Sequence, residues 1–450
     1  MGRRLPFTAF FCLLAAWAPN TQAQSNATFT EQILPLLREE FALLLEREKG
    51  LDLSSWESLM KGSDFGEIVV PFDAEGSLII KLATRLDSSD SLRPYAEALS
   101  EADIATVRDW IDDGARNDLG QVPFADSRNL LYAANEDAAT VSVIDMDAQV
   151  VIRNIRLEAL GFTKDAKPHH IAVEPDGSTW YVSLIGDDVI LKFNRDNELV
   201  DQVSFERPGM LALYRGNNQL FVGRSMKAVN PPQRIGQVDR SSMELEELDV
   251  FFPRPHALAV HPEGNHVYVG SLSENRMATL EPAVEGISLT SIDGPTHTLV
   301  QFAIAPDGQS MVVGGQLTGK LFFFDTSAPE NPTLIETIDV GAAPWHPVFS
   351  PDGSTVWFGN KMAGTATVVN LEQRTVVKIV EGLAQPHGSA MRSDGKYVFI
   401  SNNNMNGKYS ARYNFGYNPG VVVVINTETF EVEKMLEIGP NATGLGTAAL

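Results

Sequence analysis

Cysteine is almost missing from this chain: Cys12 is the only one in 450 residues, and it lies inside an N-terminal apolar run. Once that segment is removed, the protein has no disulfide, no cysteine nucleophile, no thiolate metal ligand and no thioether-linked haem. Long hydrophobic runs are missing too. The stretch "FTAFFCLLAAWA" is too short to span a bilayer. With Arg3 and Arg4 before it and Thr21-Gln22-Ala23 after it, the pattern is that of a secretory signal peptide over residues 1–23, leaving no membrane span after cleavage.

Positive charge is scarce, since 35 Lys and Arg face 58 Asp and Glu for a net charge of −23. That sign argues against nucleic acid or an anionic membrane surface as partner, and fits a periplasmic or secreted protein kept soluble by self-repulsion. No Ser-His-Asp arrangement, phosphate loop or carboxylate pair is recognisable from spacing. Histidine is absent from the whole chain before His169.

What is present divides in two. Residues 24–120 read as mainly helical. "LSEADIATVRDWIDDGA" carries a Ser100 cap, acidic residues in its first turn, Ile104, Val107 and Trp110 at helical spacing, and Gly114 as a stop. A second helix is predicted over "EQILPLLREEFALLLERE". From about Asp126 to residue 450 the pattern changes to short strands with recurring turns. "PHHIAVEPDGSTWYVS", "PGMLALYRGNNQLFVG", "PHALAVHPEGNHVYVG", "LVQFAIAPDGQSMVVG", "PWHPVFSPDGSTVWFG" and "PHGSAMRSDGKYVFIS" align on Gly177, Gly216, Gly264, Gly308, Gly353 and Gly395. The spacing runs from 39 residues (Gly177 to Gly216) to 48 (Gly216 to Gly264). Each unit continues with two more strand-like runs, so four short antiparallel strands per unit predict a propeller blade. The opening unit, "NLLYAANEDAATVSVIDMDAQVVIRNI", lacks a first strand, and the C-terminal "GPNATGLGTAAL" reads as one. The expected fold is mainly β: a seven-bladed propeller closed by the two chain ends, after a small helical domain.

These units resemble the YVTN-type β-propeller repeats over about three-quarters of the chain, a likeness that implies fold and leaves function open. The helical part resembles the cytochrome c-like domains of the planctomycete type through "GLDLSSWESLMKG", "IVVPFDAEGSLIIKL" and "LSEADIATVRDWIDDGA". That resemblance implies a haem held by C-x-x-C-H. Phe41 and Leu44 stand where its cysteines belong, Leu45 where its histidine belongs, and the segment has no other histidine. The expectation is a haem-free descendant that serves as a structural module or docks a protein partner.

All eight histidines fall in the propeller. Aligned on the turns, His169, His256 and His387 share one position, His170 and His346 the next, and His297 lies a few residues earlier in its blade. First strands line a propeller's central channel, so these six are expected around one mouth of it. His261 and His266 flank turns at the opposite end and read as surface residues. Two long loops, Arg224 to Arg234 and Asn402 to Gly420, belong to the histidine face. Arg224, Arg254 and Lys361 bring positive charge there, and Tyr409, Tyr413 and Tyr417 are candidates for a lid or ligand contact.

Converging neutral imidazoles favour copper or zinc over hard cations, or haem. The arrangement is loosely similar to the histidine-ringed copper site of nitrous oxide reductase and to the haem histidines of cytochrome-plus-propeller nitrite reductases. The competing reading is that "PH" before a strand is structural punctuation in these repeats. The leading expectation is therefore a binding protein whose channel mouth holds a metal ion or small ligand. A metal- or haem-dependent oxidoreductase is the alternative, and a lactonase-like hydrolase ranks below both. Asn26-Ala-Thr and Asn441-Ala-Thr fit glycosylation acceptors.

Overall fold

The computed structural model describes residues 28–214 and 217–448. The expected signal peptide with Cys12, the Asn26 acceptor and the turn glycine Gly216 lie outside the described residues.

The chain opens with a helical segment of helices Leu34–Glu39, Trp56–Met60, Leu78–Arg85, Arg93–Ala98 and Glu101–Asp112. The last forms as its sequence predicts: the Ser100 hydroxyl accepts from the Asp103 N–H, Val107 and Trp110 are buried, and Gly114 leaves the helix at φ 100°. The long helix expected over "EQILPLLREEFALLLERE" does not form. Phe29–Ile33 makes a wide π-turn, and the α-helix stops at Glu39. Phe41 N–H then bonds five residues back to Leu36, and Leu44 three back to Phe41. This uneven winding turns Phe41, Leu44 and Leu45 into the core of the segment, where each is at most 5% exposed. Burial of these apolar side chains outweighs regular helical hydrogen bonding.

From Leu130 onward every strand belongs to one of seven four-stranded antiparallel sheets. Their first strands are, in blade order, Ala442–Thr447, Pro168–Val173, Pro208–Tyr214, Pro255–Val260, Leu299–Ile304, Pro344–Phe349 and Pro386–Met391. Each packs beside the next, and the seventh against the first, which makes a closed inner ring. The ring is closed as predicted: Ala442–Thr447 pairs with Leu130–Asn135, Leu131 opposite Thr447 and Ala133 opposite Leu445. Outermost strands such as Leu199–Ser204 and Thr333–Asp339 are mostly exposed, whereas the middle two strands of each blade are buried and supply the cores between blades. Among the described residues no helix is long and apolar enough to cross a membrane.

One backbone device recurs in all seven blades and shapes the channel mouth. The residue just before each first strand is left-handed: Lys167, Arg207, Arg254, Thr298, Ala343, Gln385 and Asn441 have φ between 46° and 61°. In each case its carbonyl accepts from the residue that follows the second strand, as Ile185 does to Lys167, Lys361 to Ala343 and Glu136 to Asn441. A non-glycine residue costs about 1 kcal/mol or more in this conformation, which the recurring hydrogen bond offsets. In all seven blades the ladder then shifts register near the start of the first strand. Such bulges re-aim side chains, and here they fall on the histidines.

Candidate functional site at the channel mouth

The bulge between Pro168 and Ile171 contains His169 and His170, that between Pro255 and Ala257 contains His256, that after Trp345 contains His346, and that after Pro386 contains His387. Five imidazoles from four blades therefore meet inside the ring. Their contacts run in sequence: His256 to His169 at 6.4 Å between ring centroids, His169 to His387 at 5.5 Å, His387 to His346 at 4.7 Å, and His346 to His170 at 5.9 Å. Trp345 stands edge-on to His387 at 4.4 Å and carries the Lys361 ammonium over its face at 4.1 Å, a cation–π arrangement.

Hydrogen bonds fix three of the rings. His169 Nδ1 lies 2.8 Å from Glu136 Oε1. The second oxygen of Glu136 accepts from Lys227 Nζ at 2.6 Å and from the Asn441 amide at 3.3 Å. His256 Nδ1 donates to the Arg224 carbonyl at 2.6 Å, leaving Nε2 with the free lone pair. His170 Nδ1 accepts from the Leu211 N–H at 3.2 Å, which places its own proton on Nε2. His346 Nε2 and His387 Nδ1 are buried without a hydrogen-bond partner, an expensive condition for a polar atom.

Burial governs the charge states. It pushes His170 and His256 down to about 3, and holds His346 and His387 well below their ordinary value. All four are neutral at physiological pH. Burial likewise lowers Lys361 to about 8, partly offset by the attraction of Glu136. Burial alone would raise Glu136, but the His169 hydrogen bond and charge, with Lys227 beside them, hold it down to about 2. The mouth therefore combines neutral imidazoles with one satisfied carboxylate and the cations Lys227, Lys361 and Arg254. Arg254 bonds the Met226 carbonyl at 2.8 Å, lowers His256 by its charge, and leaves its own Nε unpartnered.

Several expected members lie elsewhere. His297 precedes the left-handed Thr298 and so sits in the connecting loop. It packs on Phe322, with Nδ1 3.0 Å from the Thr318 hydroxyl and Nε2 3.0 Å from the Asp293 carbonyl, its local bonds complete. Arg224 is 1% exposed, stacked on Phe205 and bonded to Glu206 and Glu247; it contributes its carbonyl to His256 and holds blade 3 together. Tyr413 is buried in the helical core with its hydroxyl on Glu48 at 2.8 Å, and Tyr409 bonds Glu437 at 2.8 Å. Tyr409 and Tyr417 line a cavity between the helical segment and the propeller's first and seventh blades. The long loop thus clasps the helical segment and forms no lid over the histidines. His261 and His266, expected at the surface, are buried, and His261 donates to the Gly308 carbonyl of the next blade. Asn441 is buried on Glu136 and is no accessible glycan acceptor.

Glu136, Lys227 and Trp345 were not singled out by the sequence. Glu136 had a signal: in "AANED" it occupies the slot after the second strand that Lys361 occupies in "FGNKM". The metal reading requires three donors about 2 Å from one point. Among the described residues no group of three His, Cys, Asp or Glu side chains is arranged to hold a metal ion. The rings form a chain of contacts in which the neighbours His346 and His387 each bury one nitrogen without a hydrogen-bond partner.

No protein-family model and no curated protein matches the sequence. Solved structures match the fold. A periplasmic gluconolactonase from Pseudomonas aeruginosa aligns with TM-score 0.57 and 15% identity over 71% of this chain and 99% of that one. A putative 6-phosphogluconolactonase from Bacteroides fragilis gives 0.56 and 12% over 73% and 100%. A protein of unknown function from Desulfotomaculum acetoxidans gives 0.55 and 16% over 70% and 100%. At these identities the likeness is one of fold.

Proposed function

We propose that this is an extracytoplasmic binding protein whose channel mouth takes a small organic anion, with the helical segment as a haem-free cytochrome-like module that stabilises the propeller or docks a partner. One observation carries the reading: in a chain of net charge −23, Lys227, Lys361 and Arg254 surround imidazoles that burial keeps neutral. Neutral imidazole N–H groups and desolvated cations suit carboxylate or phosphate oxygens. The carboxylate of Glu136 is already committed to His169 and Lys227, so it does not repel an incoming anion as a free one would. The buried Phe41, Leu44 and Leu45 support the haem-free reading of the helical segment, because they occupy core volume with apolar atoms and no axial ligand.

The test is calorimetric titration with citrate, gluconate and inorganic phosphate against the mature chain and its Lys361→Met and His346→Ala variants. The expected result is saturable binding of at least one anion, weakened tenfold or more by either substitution. Heats that are nil, or identical in all three proteins, refute the reading. The two unpartnered nitrogens on His346 and His387 favour a second one, a copper or zinc ion completed by ligand atoms from outside the chain. Stoichiometric metal after purification, lost in the His346→Ala variant, would establish it.

A further inference from the structure

A second space lies away from the histidines, beside the helical segment. A cavity of about 1290 Å³ opens between the helical segment and the outer edges of the propeller's first and seventh blades. Ordinary small-molecule sites measure roughly 300–1,000 Å³, so this one admits more than a single sugar or amino acid. One wall is aromatic: Phe65 from the helical segment and Phe415 and Tyr417 from the long loop. Phe65 and Tyr417 are each 41% exposed although they sit in a concavity.

Several other charged groups on the lining are bonded within the protein. Arg156 bonds Asp73, Arg412 reaches Glu48 at 3.2 Å, and Glu437 accepts from Tyr409 and from the Arg412 N–H. Glu67 caps the Val151 N–H at 3.0 Å on the edge strand of the first blade. Lys81 and Lys434 are different. Both line the cavity, both feel the charge of Glu67, and among the described residues neither has a carboxylate within ion-pair distance. Burial lowers the proton affinity of each, and the charge of Glu67 offsets only part of that effect, as expected for ammonium groups removed from water with no carboxylate in contact.

We propose that this cavity is a second binding site, for a ring-bearing organic anion whose carboxylate or phosphate lies with Lys81 and Lys434 and whose ring packs on Phe65, Phe415 and Tyr417. The site is independent of the channel mouth. It gives the long loop two tasks: Tyr413 anchors it in the helical core, and the residues that follow face the ligand. The helical segment then completes a site that the propeller alone would leave as an open groove.

The experiment uses two fluorescent naphthalene probes on the full mature chain, anionic anilinonaphthalene sulfonate and neutral N-phenylnaphthylamine. Wild type is expected to bind both saturably with unit stoichiometry. The Lys81→Met, Lys434→Met double variant should lose tenfold or more in affinity for the anion while keeping the neutral probe, and Lys434→Arg should retain both. A His346→Ala, Lys361→Met variant of the mouth should bind both probes as wild type does, which separates this site from the other. Displacement by naphthoate or by naphthyl phosphate identifies the preferred head group. Absence of saturable binding overturns the proposal. So does undiminished anion affinity in the double lysine variant, equal loss of both probes, loss confined to the mouth variant, or failure of both displacers.

Discussion

Lowering the pH from 7.5 to 5.5 should destabilise this propeller far more than its surface charges alone would. His170, His256, His346 and His387 are neutral in the folded ring because burial penalises the imidazolium. In the unfolded chain each recovers its ordinary value of 6.5. Between the lowered folded values and 6.5 the unfolded state binds more protons, so stability is full above pH 6.5 and falls as the pH drops below it. At pH 5.5, one unit below the unfolded value, each ring costs about 1.4 kcal/mol, and the four together about 6 kcal/mol. That is a large part of the ~5–15 kcal/mol by which domains are stable. Glu136 does not enter this window, because its own contribution is lost only as the pH falls from 4.5 to about 2.

Urea unfolding followed by tryptophan fluorescence at pH 7.5, 6.5 and 5.5 reads the loss directly. A His170→Asn, His346→Gln double variant should show about half of it. Proton NMR of the imidazole rings gives the second reading, with four of the eight silent down to pH 5. Titration of any of these four rings near 6.5, or a stability that stays flat to pH 5.5, would refute the claim that burial keeps the cluster neutral.

Two further outcomes follow from packing. A Cβ at Gly444 would lie 2.2 Å from the His169 carbonyl oxygen, where the closing strand meets the second blade. Gly444→Ala should therefore cost about 1–3 kcal/mol, read as a lower melting temperature; an unchanged one would show that the ring tolerates a wider gap there. Tyr413→Ala removes a buried aromatic and the hydroxyl that satisfies Glu48, at about 3–5 kcal/mol. Limited proteolysis should then cut the helical segment while the propeller resists, and equal resistance of both parts would contradict the clasp.

The sequence by itself determined the blades. A turn such as "PDG" or "PEG" between two apolar runs is a local signal, and Gly177, Gly264, Gly308, Gly353 and Gly395 do adopt φ between 68° and 74°. Closure was legible for the same reason: a first unit without its inner strand and a last strand without a blade are complementary deficits, visible along the chain. The gathering of His169, His170, His256, His346 and His387 could be anticipated because the repeat carries each to an equivalent place.

Tertiary structure decided the rest. The helix expected through Phe41, Leu44 and Leu45 gave way because three-dimensional burial outweighed local periodicity. His297 left the cluster through a displacement of a few residues, which in a bulged strand separates facing the channel from facing a loop. The partners of Glu48, Glu136 and Lys227 are 365, 33 and 91 residues away along the chain, in Tyr413, His169 and Glu136 respectively. No local pattern encodes such contacts, because it is the closed ring that brings residues so far apart in the chain side by side.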